Sequence, residues 1–205
     1  MTVRTSAKLA AALLLGLASA PLPGRSASAA DRDWPCVQRL VPQLSAGSLW
    51  SGPPPQGDWR TEPSVAALVG SIAPRPVAEA EGTAAIGAFA APLDAASRRR
   101  LLPLAFAGLV DETNRERDSL IDQIKRFGRR QRGLAEGVRG LEAELRAMPA
   151  DAGPARDELE QRHLFAAKTF TDAGRTVRYA CEAPVRLEAR LGAYGRALAE
   201  ALPAE

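Results

Sequence analysis

Two long stretches of this chain repeat apolar side chains about every 3.5 residues, the spacing of a helix with one packed seam and not of a strand. Alternate steps of four and three from Phe106 reach Val110, Thr113, Arg117, Leu120, Ile124, Phe127, Gln131, Leu134, Val138, Leu141, Leu145 and Met148. Ten of those thirteen positions are apolar, so the repeat holds over the whole stretch. A second series runs Leu159, His163, Ala166, Phe170, Ala173, Val177, Ala180, Pro184, Leu187, Leu191, Tyr194 and Leu198, broken only by His163 and Pro184. Between them, residues 149–154 (Pro-Ala-Asp-Ala-Gly-Pro) stop one helix and start the next. Residues 103–148 and 154–201 match in length at 46 and 48 residues, and a short turn between matched helices makes an antiparallel hairpin. At 1.5 Å per residue each arm extends about 70 Å. The first helix is expected to begin at Asp94 and to kink at Pro103.

The seam carries polar exceptions at Arg117 and Gln131, which either fix register or lie where solvent or another segment reaches the seam. Gly128, Gly133, Gly137 and Gly140 weaken the first helix by about 1 kcal/mol each relative to Ala, which points to bending or to close approach of another backbone. Residues 125–132 hold five cations, Lys125, Arg126, Arg129, Arg130 and Arg132. They offer a docking surface for an acidic protein partner or for peripheral contact with anionic lipid. The plainer reading is a solvated face with Asp172 and Glu182 opposite. Arg98, Arg99 and Arg100 form a second cluster.

Residues 31–92 are of a different kind, with nine prolines and all three tryptophans (Trp34, Trp50, Trp59). The run over residues 51–57 (Ser-Gly-Pro-Pro-Pro-Gln-Gly) excludes helix and central strand, because proline lacks the amide donor. Residues 31–60 therefore read as an extended arm with one short helical turn after Pro35. The proline run is read as a stiff spacer ahead of a ligand for a polyproline-binding module. Over 61–92, Thr61 is the expected cap of a helix whose Val65, Leu68, Val69 and Ile72 share a face. Pro74 and Pro76 end it, and a weaker helix covers Val77 to Ala90. The hairpin occupies 93–205.

Residues 1–30 have Arg4 and Lys8, an apolar run from Leu9 to Ala20, and small residues at Ser28, Ala29 and Ala30, which is the pattern of a secretory signal peptide cleaved near Ala30. The run falls short of the ~20 residues a membrane span requires. Export places the chain in the periplasm, where two cysteines pair. Cys36 and Cys181 stand 145 positions apart, and the entropy of closing such a loop corresponds to about 5 kcal/mol as an upper figure. Antiparallel registry sets Cys181 near Ile121, so the bridge pins the arm to one side of the hairpin. No Cys-x-x-Cys spacing suggests a redox-active pair.

Charge and composition narrow the function. The formal net charge is +3, but residues 1–30 hold Arg4, Lys8 and Arg25 and no acid, so the remainder is neutral and is no general binder of nucleic acid. With two Cys and one His, no Cys- or His-built metal site is expected. Glu160 and His163 have metal-pair spacing, but such a site needs a second pair. His163 is read instead as a seam histidine packed opposite Arg139 and its neighbours, with pH sensing open to it. Neither a nucleophile elbow nor a phosphate-cradling loop is present, so no catalytic residue and no cofactor is expected.

Residues 33–39 (Asp-Trp-Pro-Cys-Val-Gln-Arg), 45–47 (Ser-Ala-Gly), 50–53 (Trp-Ser-Gly-Pro) and 181–185 (Cys-Glu-Ala-Pro-Val) resemble uncharacterised exported helical proteins of proteobacteria. The resemblance implies a periplasmic location and a Cys36–Cys181 pair, and no activity. The expectation is an all-α protein: a long, coiled-coil-like antiparallel hairpin with an irregular Pro- and Trp-bearing arm and one or two short helices. It would serve as a non-catalytic adaptor, assembly or accessory factor of an envelope or redox complex. The alternative is a holdase chaperone whose helical arms grip unfolded clients.

Overall fold

A computed structural model describes residues 33–204, and the export signal expected over 1–30 lies outside the described residues. These residues form an all-α fold without strands: α1 (Ala46–Leu49), a 3-10 turn (Trp59–Thr61), α2 (Pro63–Ile72), α3 (Glu79–Ala90), α4 (Ala95–Ala147) and α5 (Pro154–Glu200). None of these helices is long and apolar enough to cross a membrane.

The hairpin of α4 and α5 forms where the two heptad series lie. The Asp94 side chain accepts from the Ser97 amide at 2.7 Å and caps α4, and Pro103 is carried inside the helix. At the turn, Gly153 takes φ +60°, a conformation that favours glycine, and Pro154 opens α5. Arg156, in the first turn of α5, donates to the carbonyls of Leu145 and Met148 at 3.3 Å each, satisfying acceptors that the end of α4 leaves open.

The core sits at the base, where α4 begins and α5 ends. There α2 packs on α4 and α3 on α5, and Val65, Val69, Ile86, Leu102, Phe106, Leu191, Tyr194 and Leu198 are sealed from solvent. Close approach depends on absent side chains: a Cβ at Gly108 would come 2.7 Å from Val69, and one at Gly82 would strike the Tyr194 ring. Burial raises the Tyr194 phenol above its ordinary value of 10.0. Arg190 ties α2 into the base by donating to the carbonyls of Ala73 (2.6 Å), Pro74 (2.9 Å) and Val77 (3.3 Å). Arg98, from the second basic cluster, bonds the carbonyls of Leu93 (3.0 Å) and Ala201 (3.3 Å), joining the start of α4 to the end of α5.

Residues 33–58 run back along α4 from mid-hairpin to the base. Leu44 and Asn114 exchange two hydrogen bonds of 2.8 and 3.0 Å. Trp50 stacks on Phe106 at 4.9 Å, and the Trp59 indole donates to Asp111 at 2.9 Å. Two local expectations are corrected. The short helix lies at Ala46–Leu49 and not after Pro35, where the Trp34 indole donates to the Gln38 carbonyl at 2.7 Å and the Gln38 side chain reaches across to the Cys181 carbonyl of α5. The cap of α2 is Glu62 and not Thr61, whose hydroxyl donates to the Asp58 carbonyl at 2.8 Å within the 3-10 turn.

The arm reaches α4 as far as Arg132, and beyond it the hairpin is on its own among the described residues. No residue of α4 past Gly128 is buried, and Leu159 is the sole buried residue of α5 before Val177. Leu134, Val138, Leu141 and Leu145 keep the seam spacing but remain half-exposed. Two helices cover one stripe of each other, whereas a sealed core needs a further layer.

Candidate functional site

The middle of the hairpin is where arm, cysteines and basic run converge. Cys36 and Cys181 form a disulfide with Cα atoms 5.6 Å apart. Cys181 packs with Ile124 and Val177, one turn from the expected Ile121. Trp34 and Phe127 lean on the same cluster, and the Gln38 side-chain amide donates to the Cys181 carbonyl at 2.5 Å. An open cleft of about 430 Å³ lies beside the bridge, between residues 35–38 of the arm and Arg178, Glu182 and Val185 of α5.

Arg117, a polar residue of the seam, is 2% exposed. Its guanidinium donates to the Val41 carbonyl at 2.6 Å and to the Pro184 carbonyl at 3.4 Å, and it pairs with Glu188. One side chain thus joins α4, α5 and the arm, which unites the two roles the sequence leaves open. Gln131 donates to the Phe170 carbonyl at 3.2 Å and links the two helices alone.

The helix divides the basic run. Arg129 lies 2.8 Å from Asp33, and Arg132 pairs with the second oxygen of the same carboxylate. The bonds from Arg129 and then Arg132 hold the Asp33 carboxyl below its ordinary 3.8. A Cβ at Gly128 would stand 2.5 Å from the Asp33 carbonyl oxygen, so this glycine admits the arm, while Gly133, Gly137 and Gly140 face open space. Asp172 and Glu182, the acids expected opposite the run, are engaged along their own helix. Asp172 meets Arg175 at 3.3 Å and Lys168 at 3.8 Å, and Glu182 meets Arg186 at 2.8 Å. The facing acid comes instead from the arm, whose path no helical period encodes. Lys125, Arg126 and Arg130 have no ion pair among the described residues.

His163 faces α4 one turn from Arg139: its Nε2 lies 3.5 Å from Glu142 and makes no hydrogen bond there. Glu160 pairs with Arg156 at 2.9 Å. Among the described residues no three potential metal ligands gather.

On the flank opposite the arm, a groove follows the seam. At its base end, Arg75, Val77, Tyr179 and Arg190 surround about 330 Å³. Leu120, Ile124, Phe127, Tyr179 and Ala183 line a further 330 Å³. Phe127, Arg130, Asp172 and Thr176 line the next 240 Å³. Phe165, Asp172, Tyr179 and Arg186 recur every seven residues on α5 and so form one line along this flank. Phe165 and Tyr179 are 73% and 70% exposed. On α4, Gly133, Gly137 and Gly140 continue the opposite wall past Arg126 and Arg130. Sequence reasoning missed the groove, although two aromatics at a non-seam heptad position are a legible signal for one.

Comparison of the chain with family models, with curated proteins and with solved structures finds no match in any of the three.

Proposed function

We propose that this chain is an interaction protein of the cell envelope, exported to the periplasm, that serves as an adaptor, assembly or accessory factor of an envelope or redox complex and has no catalytic activity of its own. The observation that carries the reading is the contrast along the hairpin. Arm, α2 and α3 fill both flanks of the base, while the distal half keeps a groove, two exposed aromatics and the cations Arg126 and Arg130 uncovered. Side chains of this size on a surface are the usual anchors of protein contacts. The Cys36–Cys181 bridge supports an oxidising compartment. The resemblance of the arm and of residues 181–185 to exported helical proteins of proteobacteria points the same way.

A photoreactive residue at Thr176, within the groove, tests the reading in cells when crosslinked proteins are identified by mass spectrometry. One dominant envelope partner, lost on Arg126→Glu with Arg130→Glu, is expected. A broad set of unfolded periplasmic and outer-membrane proteins would select the holdase reading, which exposed Leu164 and Phe165 favour. Recovery of the bait alone would count against both.

A further inference from the structure

We infer that the groove on the flank opposite the arm is the seat of a third helix, supplied by a partner as an acidic amphipathic segment of about 20 residues; this deepens the adaptor reading and rests on it. Within the protein the same flank already takes a helix. Near its base, the end of α2 lies against Glu112, Glu116 and Ser119 of α4, and Arg75 reaches Glu116 at 3.4 Å. Where that segment turns away toward α3, the groove continues without an occupant. Phe127 and Tyr179 line it, and Phe165 follows on the same α5 line; these partly and largely exposed rings, above Leu120 and Ile124 that the hairpin seam already buries, offer an apolar stripe to an incoming helix. Past Phe127 the wall falls to Gly133, Gly137 and Gly140, where a helix backbone meets no side chain on α4. The cavities follow α4 from Leu120 to Arg130 and the open glycine face continues to Gly140, a rise of about 30 Å, the length of some 20 helical residues.

Charge selects the occupant. Arg75, Arg130, Arg186 and Arg190 line the groove with Asp172 as the single carboxylate among its lining residues, and Arg130 has no ion pair among the described residues. The acid between Phe165 and Tyr179 on the α5 line, Asp172, is held by Arg175 and Lys168. The lining of the groove therefore carries a surplus of guanidinium groups, which a helix with Glu or Asp beside its apolar stripe complements. Two-fold pairing of this flank with a second copy sets arginine-bearing walls against each other. A concave slot between two helices also fits a rod better than a flat bilayer surface.

The test uses the full exported chain and two fluorescent 21-residue peptides with identical Leu at a and d, one with Glu and one with Lys at e and g, read by anisotropy. The acidic peptide is expected to bind and the lysine peptide not. Arg126→Glu with Arg130→Glu should weaken the acidic peptide by about tenfold or more. Leu164→Lys, outside the groove line, should leave it unchanged, with helicity by circular dichroism equal in all variants. Equal binding of both peptides, or no binding of either, would overturn the proposal. So would self-association, or binding to phosphatidylglycerol vesicles in place of peptide, that the double substitution abolishes. A specific partner in the cellular crosslinking experiment beside a failed peptide test would retain the adaptor reading and discard the groove helix.

Discussion

At the base of the hairpin, Phe106, Leu191 and Tyr194 stand in the heptad seam beneath α2, α3 and the arm, and water is excluded from them. Toward the turn, Leu134, Val138 and Leu141 hold the same spacing and stay half-exposed. Periodicity decides that two helices pair; it does not decide how deeply the pair is buried, which depends on what else packs against it. The base buries its seam in internal contacts. The distal half keeps surface available, and its stability rests on one shared stripe and the turn.

Removing the bridge should blur this contrast most. Cys36→Ser with Cys181→Ser frees a loop spanning a sequence separation of 145, and a loss approaching about 5 kcal/mol is expected at the loop-entropy limit. Denaturant titration of the variant reads the loss directly. Released at mid-hairpin, residues 33–44 should also become cleavable by protease while α2 and α3 stay protected.

Truncation in the two halves sharpens the comparison. Phe106→Ala removes a ring packed against Trp50 and Gly195 and should cost about 3–5 kcal/mol. Leu141→Ala, in a half-exposed place, should cost about 1 kcal/mol. Equal thermal shifts for the two variants would contradict the two-region reading.

Acid should act on the arm with a smaller effect. The Asp33 carboxyl is depressed in the folded protein by Arg129 and Arg132. The unfolded chain therefore takes up this proton first as pH falls, so the anchor is at full strength above the ordinary 3.8 and is lost as pH drops through the lower folded value. Asp33→Asn should remove that dependence. The check is limited proteolysis of the arm above and below pH 3.8 in both proteins.

Much of the architecture is legible in the sequence. Heptad spacing finds α4 and α5, the residues between them find the turn, and Pro74 and Pro76 bound α2. What escapes is whatever depends on chain without a period. The arm's path is set by single bonds, such as Arg117 to Val41 and Arg129 to Asp33, that join residues far apart in sequence. That path also explains why Gly128 is occupied while Gly133, Gly137 and Gly140 are not, and why the run from Lys125 to Arg132 divides into anchored and free cations. Arg156, Arg98 and Arg190 act on helix-end carbonyls, which charge patterning alone does not distinguish from a solvated face.

The most direct test of the two-region account is amide hydrogen exchange of the full chain, followed by mass spectrometry. Amides of Leu102–Val110 and Leu191–Leu198 are expected to exchange only through global unfolding, and those of Leu134–Leu145 and Leu159–Phe170 much faster, through local opening of the distal half. Uniform protection along α4 and α5 would contradict it, because the distal half would then be as well packed as the base.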